Sequence, residues 1–287
     1  MTIRTPPGWG WDQLTDAVQR IGSASPEEYW HSAADRSATP TVRRISLADL
    51  AGALASGLDD FKANRTDVIF LCVIYPIAGL VLGRVASGYG LLPLLFPLAS
   101  GFALVGPLAA VGLNEMSRRR EQGDAVRWVD AFGVLRAPSI GSIALLGLLL
   151  VGIFLLWLVA AQVIYVATLG PDAPGSVAAF ARDVLGTKAG WALIVIGVGV
   201  GFLFAVLVLA ISAVSFPLLL DRNVGIDTAV WTSARVVAMN PAVMAVWGAI
   251  VVALLVVGSL PALVGLAVVM PVLGHATWHL YRQAVAW

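Results

Sequence analysis

Cysteine, histidine and charge are all scarce in this chain. A single cysteine, Cys72, among 287 residues rules out an intrachain disulfide, and its place inside an apolar run makes it a small buried hydrophobe. Charged residues are 12% of the total, against about 25% in ordinary soluble domains. The formal net charge of +1 argues against nucleic acid as a partner. Residues 1–67 are polar and lack the apolar core of a signal peptide, so the first apolar run is expected to do the targeting itself. No carboxylate falls in the middle of an apolar run, which argues against a proton-coupled carrier.

What is abundant is apolar sequence, 59% of residues. It comes in six runs, 68–83, 91–113, 140–169, 190–220, 241–257 and 261–280, most of them near or above the ~20 residues that cross a bilayer as a helix. The expected fold is all-α, a polytopic bundle of six transmembrane spans. The first run is short and holds Pro76; the third and fourth are long enough to tilt or to project beyond the hydrocarbon. A rival reading of 241–280, one re-entrant segment plus one span, would leave the C-terminus outside.

Basic residues fix the orientation. With the N-terminus inside, Arg43, Arg44, Lys62, Arg65, Arg118, Arg119, Arg120, Arg127, Arg136, Arg222, Arg235 and Arg282 all fall on the inner side, and only Arg84, Arg182 and Lys188 fall outside. The positive-inside rule then places both termini in the cytoplasm and the chain in a bacterial inner membrane. Residues 1–41 read as a polar cytoplasmic tail with short helices and 42–287 as the membrane domain.

The inner connectors are patterned. Leu47, Leu50, Leu54, Leu58 and Phe61 form a stripe over 46–61; Trp128, Phe132 and Leu135 form one over 124–136; Ile226, Val230, Ala234 and Val237 form one over 226–239. Each is expected to be an amphipathic helix at the headgroup boundary, the last two started by Asp124 and Asp227 and stopped by Pro138 and Pro241. At one constant offset Arg119 matches Arg222, Asp124 matches Asp227, Trp128 matches Trp231, Ala131 matches Ala234 and Pro138 matches Pro241. The implied unit is a surface helix followed by a helical hairpin, repeated in parallel.

Chemistry is sparse. His275 and His279, one helical turn apart, are candidate metal or haem ligands, although two ligands leave a site incomplete and the glutamate of an HExxH motif is absent; the alternative is a pair bonded to neighbouring carbonyls. Glu115 and Asp221 end the second and fourth runs, and Glu115 stands at helical spacing from Arg118 and Arg119. Pro107, with Pro93 and Pro97, marks the second run either as a broken helix at a transport site or as a kinked packing helix. Ser212 and Ser215 are expected to bond back to their own helix. Glycines spaced four apart at Gly79 and Gly83 and at Gly197 and Gly201 suit helix contact within the chain. Trp9 and Trp11 in the tail are candidates to dock on the membrane surface or on a protein partner.

Val42-Arg-Arg-Ile45, the Asp60-Phe61 step, Phe96-Pro-Leu98 with Gly101-Phe-Ala-Leu104, Ser117-Arg-Arg-Arg-Glu121, Ser215-Phe-Pro-Leu-Leu-Leu-Asp-Arg222, Asn240-Pro241 and Gly274-His-Ala-Thr-Trp-His-Leu-Tyr-Arg282 together resemble an uncharacterised family of bacterial multi-pass integral membrane proteins, mainly proteobacterial. The resemblance runs from Val42 to Arg282. It implies an inner-membrane protein and brings no catalytic residues and no cofactor. The expected function is therefore non-catalytic: a protein that organises lipid or partner proteins through its cytoplasmic helices and tail. The alternatives are a small-solute transporter or channel, and a metal- or haem-binding enzyme that uses His275 and His279.

Overall fold

The computed structural model describes residues 40–64, 77, 79–81, 84, 92–261 and 263–287. Trp9, Trp11 and most of the first apolar run lie outside them. In chain order the elements are β1 (Thr41–Val42), α1 (Leu47–Ala63), a 3-10 turn (Leu92–Leu94), α2 (Leu95–Ala109), α3 (Val111–Glu121), a second 3-10 segment (Trp128–Arg136), α4 (Ile140–Leu169), α5 (Val177–Gly186), α6 (Lys188–Ser212), α7 (Ser215–Asp221), α8 (Ile226–Met239), α9 (Pro241–Ser259), α10 (Leu266–Ala284) and β2 (Val285–Ala286).

Four stretches among the described residues are long and apolar enough to cross a membrane: Leu95–Glu121, Ile140–Leu169, Lys188–Asp221 and Pro241–Ser259. They correspond to the second to fifth runs. The sixth run forms α10 but is not one of them, because His275, His279, Arg282 and Gln283 make its C-terminal half too polar. At Pro107 the helix of the second run nears its end: α2 closes at Ala109 and α3 begins at Val111. Helix α2 packs on α4, where Gly101 lies under the Phe154 ring and the Trp157 indole N–H donates to the Pro97 carbonyl over 3.1 Å. Leu104, Val111, Leu146, Leu150 and Trp157 fill this contact as part of one buried core.

Helix α1 begins with a reciprocal cap. The Ser46 backbone N–H donates to Asp49 Oδ2 over 2.7 Å, and the Asp49 N–H donates to Ser46 Oγ over 3.3 Å. The helix then runs antiparallel to α10, with Gly52 opposite Gln283 and Gly57 opposite Ala276. The stripe read from the sequence is only part of the face that packs. Leu50, Ala53, Gly57, Asp60 and Phe61 are buried, while Leu47 and Leu58 of the stripe are exposed. At Gly57 only glycine fits, because the helices approach so closely there that a Cβ would meet the Ala276 backbone.

Helix α8 repeats the lesson. Its fully buried face is Ala229, Thr232, Ser233 and Val236, with Val230 and Val237 only half-buried. The small face lets α7 come close enough for Ser215 Oγ to donate to the Ala229 carbonyl over 3.0 Å. Ser215 and Ser212 also donate to the carbonyls of Ile211 and Val208 on their own turn, as expected of serines in apolar helices.

The connector expected to be an α-helix at 124–136 is instead a 3-10 segment. Asp130, not Asp124, caps it, accepting from the Arg127 N–H over 2.7 Å. A Cβ on Gly133 would stand 2.4 Å from an Arg119 guanidinium nitrogen, and one on Gly112 would stand 3.1 Å from the Ala131 carbonyl oxygen. The tighter winding lays the segment flat on α3 at these two glycines. The two matched connectors therefore differ in conformation.

One pairing had no trace in the sequence. Strand β1 lies antiparallel to β2, Thr41 opposite Ala286 and Val42 opposite Val285. Asn240, the residue before the α9 proline, clamps the chain there: its Oδ1 accepts from the Ile45 N–H over 2.8 Å and its Nδ2 donates to the Arg43 carbonyl over 3.1 Å.

Candidate functional site

Many of the described ionisable residues gather where α1, α3, α7 and α10 meet. Helix α3 brings three polar turns to this point: Glu115, Ser117 and the arginines 118–120. Glu115 is 1% exposed as a side chain, and its two oxygens accept from Arg118 Nε at 2.7 Å, Arg118 Nη2 at 2.9 Å and Arg119 Nε at 2.7 Å. Arg119 reaches on to Asp130 Oδ1 over 2.9 Å, which ties the 3-10 segment to α3. The spacing of Glu115 from the arginines foretold this pairing, but not its extension to Asp130.

A second group lies between α1 and α10. Ser117 Oγ donates to Asp60 Oδ2 over 2.6 Å and sits 2.8 Å from His275 Nδ1. His279 Nε2 stands 2.8 Å from the same Asp60 oxygen, and Arg120 Nε is 3.2 Å from the other. Asp60, Ser117 and His275 are buried. His275 and His279 do share a face, as their spacing required, but that face is turned to a serine and to a carboxylate already paired with a guanidinium. Among the described residues no three His, Cys, Asp or Glu side chains are placed to hold a metal ion.

Burial by itself would raise the Asp60 pKa, but hydrogen bonds from His279 and Ser117 outweigh it and hold the carboxyl below its ordinary value. An acid whose folded-state pKa is depressed contributes stability above its unfolded pKa, near 3.9, and loses it as pH falls through the lower folded value. Acidification below about pH 4 is therefore expected to loosen α1 from α10. Asp60→Asn, which cannot titrate, should flatten that acid limb in a protease-protection assay of the purified protein.

Asp221 closes the cluster on its far side. Its Oδ2 accepts from Tyr281 Oη over 2.7 Å and lies 3.8 Å from Arg282 Nη1. Arg282 also binds Glu121 at 2.9 Å, and Glu121 accepts from the Trp278 indole N–H at 2.8 Å. Arg222 stacks 5.2 Å above the Trp287 ring. The sequence named Glu115, Asp221, His275 and His279, and the structure brings them to one end. It missed Asp60, because that residue stands in a connector helix, and Ser117, because a serine beside an arginine cluster carries no signal.

Along α4 and α8 runs an open groove of about 580 Å³, walled by Leu145, Leu149, Ile153 and Ile226 and almost wholly apolar. Trp231 of α8 and, on the 3-10 segment, Trp128, Phe132 and Leu135 are also exposed.

Residues 95–221 match the family described as predicted integral membrane protein (DUF2189). This stretch is similar to that family. It takes in α2 to α7, and so three of the four membrane-crossing stretches, with Glu115, Ser117 and Asp221. The match is narrower than the resemblance read from the sequence, since Asp60 and the His275–His279 pair lie beyond it. The family is one of multi-pass membrane proteins and carries no known function. No curated protein and no solved structure matches the chain.

Proposed function

We propose that this protein is a non-catalytic organiser of the bacterial inner membrane, built on six spans with both termini in the cytoplasm. The observation that carries the reading is the way the inner connectors are mounted. The 3-10 segment is pinned from behind at Gly112 and Gly133, and so turns Trp128, Phe132 and Leu135 outward a few residues before α4 enters the membrane. Trp231 does the same on α8, just before Pro241 opens α9. Large exposed apolar side chains at that level suit the headgroup boundary, or a partner that lies against it. The same pair of tryptophans, at matching offsets, supports two related units of connector plus hairpin.

The interior agrees with an organiser better than with a transporter. Leu104, Val111, Leu146 and Leu150 fill the space beside the helix break near Pro107, where a solute pathway would pass. On this proposal the run 68–83 would supply the first span and the run 261–280 the sixth, whose polar C-terminal half would lie at the inner boundary; the excess of arginine on the connectors supports the orientation.

The test places a spin label at Val129→Cys in a Cys72→Ser background. In liposomes it should be more accessible to oxygen than to a water-soluble relaxant. Cross-linking in native membranes should lose neighbours when Trp128, Phe132 and Leu135 are all changed to serine. A water-exposed label and an unchanged set of neighbours would sink the proposal, and a tag near Arg119 that reacts from the periplasmic side would sink the orientation.

A further inference from the structure

The apolar groove on α4 does not end at Ile226. A second open hollow of about 350 Å³ continues from it, sharing Leu149 and Ile226 and passing Val230, Trp231 and Ala234 of α8. Asp227 is its one charged lining residue. On a protein embedded in a bilayer, the apolar occupant that the surroundings supply to such a trough is an acyl chain, as apolar as the leucines that line it.

Past Ala234 the surface turns basic. Arg235 is exposed and forms no ion pair among the described residues. Arg43 and Arg44 are exposed and unpaired in the same sense. The fold brings them to this helix, because Asn240, the residue that follows α8, holds the Arg43 carbonyl and the Ile45 N–H. Arg235 lies five residues before Asn240, about 7.5 Å along the helix axis. By contrast, Arg118, Arg119, Arg120, Arg222 and Arg282 each have a carboxylate partner. The only carboxylate of α8 is Asp227, eight residues before Arg235 and so about 12 Å away along the axis.

Trp231, Arg235 and Met239 follow one another at four-residue spacing, which stacks them on one side of α8. All three are exposed. An indole and a thioether flanking a guanidinium offer apolar contact and phosphate binding side by side. Membrane topology asks only that basic residues fall on one side. It does not ask that three of them, from positions 43, 44 and 235, meet without counterions at the end of an apolar trough.

We propose that this surface holds an anionic phospholipid, its acyl chain along the α4–α8 groove and its phosphate against Arg235, Arg43 and Arg44. The site rests on the reading that α8 lies at headgroup level, and it adds the class of lipid. Three arginines against one carboxylate select a headgroup of net negative charge. A zwitterionic headgroup would bring its ammonium to the same guanidinium groups and gain less.

The test uses the full chain reconstituted in phosphatidylcholine bilayers. The probes are trace phosphatidylglycerol, phosphatidylcholine or phosphatidylethanolamine, each spin-labelled near the end of one acyl chain. Electron paramagnetic resonance reads the fraction held at the protein. Phosphatidylglycerol should be favoured over phosphatidylcholine by about fivefold or more at low salt, the factor that one arginine near an anionic headgroup contributes. Salt at about 1 M, where the screening length is near 3 Å, should remove most of that preference. Arg43→Gln/Arg44→Gln/Arg235→Gln should bring the two lipids level. The Asn240 clamp engages only backbone at 43 and 45, so it survives in this variant. Gly152 lines the groove with open space before it, so Gly152→Leu should fill the trough and shrink the preference. Arg182→Gln/Lys188→Gln, on α5 and α6 beyond the far end of α4, should leave it unchanged.

No preference in the native chain, or a preference for phosphatidylethanolamine, would overturn the site. So would a preference that survives salt, the triple variant or Gly152→Leu. Should the triple variant fail to fold, the salt titration and Gly152→Leu decide. Absence of the preference while the Val129→Cys label stays accessible to oxygen would overturn the lipid site alone. Absence together with a water-exposed label would overturn the organiser reading beneath it as well.

Discussion

Gly57→Leu should unseat α1 from α10. A Cβ at this position would lie 2.6 Å from the Ala276 backbone nitrogen and 2.7 Å from its Cα, so the obstacle is main chain and cannot swing aside. Overpacking at a side chain costs about 1–3 kcal/mol, and a clash with backbone belongs at the top of that range or beyond. Separation of the helices would also pull Asp60 from Ser117 and His279. The expected results are a large drop in thermal stability in detergent and proteolysis within 47–63. Gly52→Ala is the control. Its added Cβ would meet only the Gln283 side chain, at 3.5 Å, and alanine in a helix interior is better than glycine by about 0.5–1 kcal/mol. That variant should be as stable as the parent or slightly more so. Equal behaviour of the two would show that the packing of α1 on α10 is looser than described.

The second large effect is expected from the double variant Arg118→Ala/Arg119→Ala. Glu115 is 1% exposed, and both arginines engage it. Their loss leaves a buried carboxylate without a counterion, which costs about 3–5 kcal/mol unless it takes up a proton. It also frees Asp130 from Arg119, so the 3-10 segment should lose its hold on α3. Adding Glu115→Gln to the double variant should recover much of the loss, since a neutral amide needs no counterion. Circular dichroism on heating would measure both. A double variant as stable as its parent would mean that water already solvates Glu115. Each arginine is 27–29% exposed, so the single variant Arg118→Ala, with Arg119 still in place, should cost far less.

Membrane residence was legible from the sequence because it depends on run length and charge, which are local sums. The 140–169 run became α4 with the same bounds, and the fifth run became α9 after its proline. The pairing of Glu115 with Arg118 and Arg119 was legible for a related reason, since three- and four-residue spacing on a helix fixes the neighbours. The packing faces were legible only in part. Apolar periodicity marked Leu50 and Phe61, which are buried, and also Leu47 and Leu58, which are exposed; it passed over Ala53, Gly57, Ala229 and Ser233, small residues buried where the helices approach closely.

By itself, then, the sequence determined the medium, four helices long and apolar enough to cross it and the charge bias of the connectors. Tertiary structure alone decided which connector residues become a site. Asp60 meets Ser117 across 57 positions and His279 across 219, and β1 finds β2 across a similar distance. Such contacts depend on how closely whole helices approach. That distance is set at Gly57 and Ala276 together, and neither residue announces it alone.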